Sequence, residues 1–294
     1  MSFITKNGRL VRDMWPAFIP RIAQDKASDK LKAHEKVPDN MEDLLAWAHV
    51  RHFTGKPHAH YSLLHSDETV NTDRQVREVF LRLQGYVLEK NLEPLGDWDG
   101  KTSGAPKARQ FLTLHGSVDH EAFDAECQTL GFIRDIILRK TRSAKTNTDQ
   151  NGRIYLHNKV FTKVRPGAGQ VNTLSSVDDP FGRAESVAKS WIVTKKIKIA
   201  FQDNQGKLKK ASHYSIKPGD FVDVKVRADI TTYMDGDSVE TRVYFSMEHV
   251  VRLCKATDIP TREMPEGNEP EIVEEEGLNF DDNEEIAGDI MALI

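Results

Sequence analysis

Only two cysteines, Cys127 and Cys254, occur in 294 residues. That is too few for the disulfide framework of a small secreted domain. Their separation reads as two reduced thiols rather than a bridge. Nowhere does a run of about 18 apolar residues occur, so no membrane-spanning helix is expected. The opening MSFITKNGRLVRDMWP lacks the basic, then apolar, then small-residue layout of a secretory leader. A cytoplasmic location is therefore expected, the host cytoplasm if the chain is viral. Internal repeats are absent as well.

Catalytic signatures are equally scarce. Leu95 to Thr102 approaches a phosphate-binding P-loop, yet only three residues separate Gly96 from Gly100, and Asp97 and Asp99 would repel phosphate. No nucleophile elbow and no deaminase-type His-x-Glu with paired cysteines is present. Five of the eleven histidines (His49, His52, His58, His60 and His65) cluster, but no thiolate or carboxylate neighbours are fixed beside them. They read as loop and surface residues. No enzymatic activity, catalytic residue, metal or cofactor is expected.

Charge is present, and it is segregated. From Asp258 to Ile294 thirteen acidic residues face one arginine, a balance of −12, which leaves 40 basic against 32 acidic residues in the body, or +8. Residues 134 to 210 alone hold 17 basic and 6 acidic side chains, or +11. A basic body with an acidic end implies a polyanionic partner, or a tail that imitates one.

The expected fold class is α+β, in three parts. Residues 1–150 read as mainly helical. Asp39 or Asn40 can cap a helix over MEDLLAWAHVRHF. Val76, Val79, Phe80, Leu83 and Val87 suggest a second helix through Glu89. Phe123, Cys127, Leu130, Ile133 and Ile137 mark a third from about Asp119 to Lys140. Over residues 151–256 the period changes to 2, giving five strands near 152–165, 190–203, 207–215, 220–231 and 239–252. Turns are expected at Asn204-Gln205-Gly206, Pro218-Gly219 and Asp235-Gly236. Residues 257–294 form an acidic tail too polar to order itself.

The first of those strands directs the functional reading. Ile154, Leu156, Val160 and Val164 alternate with Arg153, Tyr155, His157, Lys159, Phe161, Lys163 and Arg165. Successive strand side chains point to opposite faces, so one face is aliphatic and the other carries cations between aromatic rings. Single-stranded nucleic acid calls for that combination, since bases stack on rings while cations meet phosphates. Later strands add Lys196, Lys198, Arg227, Arg242 and Tyr244. Tyr155, Phe161 and Tyr244 are the expected stacking rings. Arg153, Lys159, Lys163, Arg165, Lys196, Lys198, Arg227 and Arg242 are the expected phosphate contacts. The competing reading has N-terminal helices covering Tyr155 and Phe161.

Five strands with a long loop between the first two resemble the OB-fold, an antiparallel barrel that binds oligonucleotides. The resemblance covers about residues 151–254, although KPGD leaves no room for a helix between the third and fourth strands. A basic OB-like body with an acidic tail ending in hydrophobic residues is similar in layout to the single-stranded-DNA-binding proteins of bacteria and bacteriophages. That resemblance implies coating of single-stranded DNA, or RNA, during replication and recombination, without sequence preference and with possible homo-oligomers. It also implies a tail that regulates binding and recruits partner proteins, here through Phe280, Asp281, Asp282, Ile290, Leu293 and Ile294. Where the bacterial tail tip closes on an aromatic residue, this chain ends Leu293-Ile294. A viral nucleocapsid-type packaging protein, a nucleic-acid-processing enzyme and an annealing protein remain open alternatives.

Overall fold

Asn40 begins the first helix as expected: its side-chain oxygen accepts the Asp43 amide at 2.9 Å, satisfying a donor that the first turn leaves free. Helix α1 then spans only Met41–Trp47. From Ala48 the chain is extended, because Ala48 and Val50 bury themselves while His49 and Arg51 face water, an alternation that a helix would scramble. Helix α2, His120–Thr141, follows its apolar stripe, with Phe123, Leu130, Ile133 and Ile137 buried.

The computed structural model describes residues 1–54, 60–66, 76–117, 119–143, 152–164, 174, 178–194, 196–235 and 238–260. Its strands are β1 (Ser2–Phe3), β2 (Lys36–Val37), β3 (Ala48–Phe53), β4 (His60–His65), β5 (Phe80–Asn91), β6 (Arg109–His115), β7 (Arg153–Lys159), β8 (Phe161–Lys163), β9 (Trp191–Val193), β10 (Lys198–Gln202), β11 (Leu208–Lys210), β12 (Phe221–Asp235) and β13 (Ser238–Cys254). The main sheet runs β11-β10-β13-β12-β5-β6-β7, with the β3–β4 hairpin attached to β12. Two short pairs, β1–β2 and β8–β9, stand apart from it. The fold is mixed α and β, mostly sheet. No helix among the described residues is long and apolar enough to cross a membrane. Cys127 and Cys254 are both free thiols.

Two expectations are corrected. Residues 1–150 are not mainly helical, since β3 to β6 lie there and β5 and β6 are central to the sheet. In β5, Leu81 and Leu83 pack inward while Gln84 and Tyr86 are buried too. A strand covered on both faces reads as a continuous apolar run and imitates a helix. Nor do the five strands of residues 151–256 form an antiparallel barrel of their own. β10 runs parallel to β13, β11 is an edge, and β7 pairs with β6 instead. Met1–Ile259 forms one compact unit.

What covers the outer face of β5 is ionic. Arg82 forks onto Asp223 at 2.9 and 2.6 Å and reaches Asp25 at 2.6 Å. The Gln84 amide donates to both carboxyl oxygens of Glu126 on α2, at 3.2 and 3.0 Å, two residues before the ladder to β6 begins at Tyr86. Burial pushes the Glu126 carboxyl well above the usual range. A second, small core gathers Leu95, Trp98, Ala105, Ala108, Val160, Phe161, Val187 and Val193.

Among the described residues no backbone ladder joins β7 to β13, and the sheet is not closed. A side chain spans the gap. The Asn158 carboxamide donates to the Met247 carbonyl at 2.8 Å and accepts the Met247 amide at 2.7 Å.

Candidate nucleic-acid interface

The pairing of β6 with β7 decides which side chains share a face. Arg109 stands opposite Lys159, Phe111 opposite His157, Thr113 opposite Tyr155 and His115 opposite Arg153. The intervening Leu112, Leu114, Ile154 and Leu156 are fully buried, so these four pairs form the outer face, on which Thr113 and His157 are themselves buried. Phe111 and Tyr155 stack with centroids 5.9 Å apart and planes 28° from parallel. Tyr155 meets the edge of His157 at 5.6 Å. Across the Asn158 bridge, His157 meets Tyr244 of β13 at 4.4 Å. Four rings thus run in contact over three strands. Tyr155 is 45% exposed, large for a ring that packing alone would hide.

Cations border this run. Arg153 and Lys159, at the two ends of β7, are exposed and have no carboxylate partner among the described residues. Arg109 donates to the carbonyls of Pro106 and Ala108 at 3.1 and 3.0 Å, which fixes its charge at the start of β6. Burial, reinforced by Arg109, pushes the His157 imidazole down to about 4, against the opposing pull of Asp229. The ring is therefore neutral near pH 7. Burial also raises the Tyr155 phenol, which keeps it protonated. The arrangement offers the half-exposed Tyr155 ring, backed by the partly buried Phe111 and Tyr244 and the buried His157, between positive charges.

Of the residues expected from sequence, Arg153, Tyr155, Lys159 and Tyr244 come together here. Phe161 does not. It is only 3% exposed and packs against Trp98 at 4.9 Å in the second core. The reason is a break in the pleat: β7 ends at Lys159, Val160 and Phe161 are buried consecutively, and β8 starts a separate pair with β9. Lys163 is exposed on β8, opposite Trp191 and away from the ring run. Lys198 is exposed on β10, opposite His249 of β13. Lys196 is paired with Asp178. Arg227 lies between Glu78 at 3.6 Å and Glu248 at 3.5 Å. Arg242 meets Glu240 at 3.3 Å and covers the Tyr233 ring. Arg165 and the tail residues Phe280, Asp281, Asp282, Ile290, Leu293 and Ile294 lie outside the described residues.

Sequence reasoning missed Arg109 and Phe111 and gave His157 no role. The alternation of Phe111, Thr113 and His115 with Leu112 and Leu114 is the same signal that exposed β7, in a segment too short to stand out.

No family model and no curated protein matches the chain. Among solved structures, it is similar to a single-stranded DNA-binding protein from bacteriophage Enc34 in complex with ssDNA. The identity is 12%, the match covers 63% of this chain and 93% of that one, and the TM-score is 0.30. It is also similar to a single-stranded DNA binding protein encoded by bacteriophage T7, with 11% identity, 60% and 88% coverage and a TM-score of 0.32.

Proposed function

We propose that the protein binds single-stranded nucleic acid, DNA foremost, along the outer face of β6, β7 and β13. The observation that carries this reading is the contiguous ring run Phe111–Tyr155–His157–Tyr244 beside the exposed Arg153 and Lys159, which have no carboxylate partner among the described residues. Every base has a π-face, so stacking on such rings tolerates any sequence and suits a protein that coats strands exposed in replication or recombination. Duplex DNA keeps its bases stacked on each other and offers these rings nothing. The fold reading that accompanies this is OB-like. β5, β6, β7, β12 and β13 supply the five strands in the order β7-β6-β5-β12-β13, and Asn158 does the work of the missing ladder between the ends. The role is binding, not catalysis. The −12 tail would act on the same cations, competing with the strand for them at low salt and freeing itself to recruit partner proteins when the strand is bound.

Fluorescence anisotropy with labelled oligo(dT), a matched RNA and a duplex tests the reading. Tyr155→Ala combined with Tyr244→Ala should weaken oligo(dT) binding by about 2–6 kcal/mol, from roughly 1–3 kcal/mol per stacked base. Equal affinity for duplex and single strand, or unchanged affinity in the double variant, would overturn it.

A further inference from the structure

We infer that the polynucleotide path continues past Tyr244, across β12 and onto the β3–β4 hairpin, where Arg51, Phe53 and His60 make a second contact. This extension rests on the function proposed above. It follows from register. Arg242 of β13 stands opposite Thr231 of β12. Ile230 of β12 stands opposite Tyr61 of β4. One residue along, in an antiparallel pair, Thr231 therefore stands beside His60, and His60 is opposite Phe53 of β3. Directly opposed residues share a face of the sheet. Arg242, Thr231, His60 and Phe53 thus form one row across four strands, on the face that carries Tyr244, which lies two residues from Arg242. Three strand spacings of ~4.8 Å separate Arg242 from Phe53, about 14 Å.

The far end of that row repeats the chemistry of the near end. Phe53 and His60 stack at 5.2 Å with planes 15° apart, and the Arg51 guanidinium lies over the Phe53 ring at 5.2 Å. Arg51 and His60 are exposed, while the hairpin's core side is held by buried Val50 and Leu63. Stacked rings under a cation at the solvent side of a two-stranded hairpin are not what holds the hairpin down. They are a platform for a base and its phosphate.

Between the two platforms the surface is different. Arg227 is occupied by Glu78 and Glu248, Arg242 by Glu240, and Asp229 stands opposite Tyr244. This stretch has few cations to spare for phosphates, so a strand bridges it and is gripped at the two ends. Length dependence follows. A short oligonucleotide fills only the ring run, whereas one long enough to cross β12 gains the hairpin.

The test compares oligo(dT) of 4 and 12 nucleotides, within the ~4–16 that one OB-type fold covers. Phe53→Ala with His60→Ala should leave affinity for the 4-mer unchanged and lower affinity for the 12-mer tenfold or more. Phe53→Tyr with His60→Phe should restore it. Tyr155→Ala should lower both. If the wild type binds both oligonucleotides and the hairpin variant binds the 12-mer equally well, the extension is wrong and the ring run stands. A hairpin variant that loses 4-mer and 12-mer alike also overturns it, because the effect then comes through the fold. Wild-type protein that binds neither overturns the function on which the extension rests.

Discussion

Asn158 and Met247 face each other across a seam that no backbone ladder among the described residues closes, and the carboxamide of Asn158 supplies both the donor and the acceptor that a paired strand would have given. The bridge brings His157 of β7 against Tyr244 of β13, so the last contact of the ring run depends on it. Asn158→Ala leaves the Met247 amide and carbonyl unpaired, each costing about 1–3 kcal/mol when cut off from water. We expect a loss of about 2–6 kcal/mol in urea unfolding, with an unchanged m-value. A smaller loss would mean that water replaces the side chain at the seam.

Phe161 and Tyr155 separate packing from binding. Phe161→Ala empties space against Trp98 in the second core, where Phe→Ala changes cost about 3–5 kcal/mol. Oligonucleotide affinity, measured at a temperature where the variant is folded, should not change. Tyr155→Ala should do the reverse, with affinity lowered by about 1–3 kcal/mol and the melting temperature little changed. Binding loss in the Phe161 variant would show that the second core positions the ring run.

The contrast between those two residues also marks how far the sequence is legible. Alternation over Ile154 and Leu156 placed Arg153, Tyr155 and Lys159 on one face, and the structure agrees. Carried two residues further, the same alternation failed, since a break in the pleat at Val160 leaves no trace in residue type. The long hairpin β12–β13 was readable from Val222, Val224 and Val226 against Val243, Phe245 and Met247. β5 was not readable, because burial on both faces erases the period of 2. The partnership of rings from β6, β7 and β13 is a matter of strand order, which no local pattern records. Pairing hides as well: Arg227, Arg242 and Lys196 look like free cations in sequence, and each has a carboxylate beside it.

Salt dependence turns that last difference into a measurement. Each phosphate contact on a single strand contributes about 0.7 to the slope of log affinity against log salt. Arg153→Gln and Lys159→Gln should each flatten the slope by roughly that amount. Lys196→Gln should leave it nearly unchanged, because Asp178 already neutralises that charge. Equal effects from all three would mean that the Lys196 pair opens on binding.

Glu126 gives the fold a pH dependence of its own. Its folded carboxyl is raised by burial above its ordinary value of 4.5. The native state therefore holds a proton that the unfolded chain releases, and the stabilisation is present below about pH 4.5 and declines as pH rises through the folded value. Glu126→Gln keeps an acceptor for the Gln84 amide and removes the titration. Its advantage over the wild type should grow from pH 5 to pH 8 in chemical denaturation. A constant difference across that range would place the carboxylate ionised in the native state, compensated by Arg82.

His157 acts in the opposite sense, and its window bears on the binding face. The folded ring titrates at about 4 against an ordinary value of 6.5, so between those values the unfolded chain holds more protons than the native one. Its contribution to stability is therefore complete above pH 6.5 and is lost as pH falls toward 4, by about 1–3 kcal/mol. His157→Phe preserves a flat ring between Tyr155 and Tyr244 and removes that proton. The variant should lose less stability than the wild type between pH 6.5 and 4, and its oligo(dT) affinity at pH 7.5 should match the wild type, since the native imidazole is already neutral there. Weaker binding by the phenylalanine variant at pH 7.5 would assign His157 a hydrogen bond to the nucleic acid rather than a place in the stack.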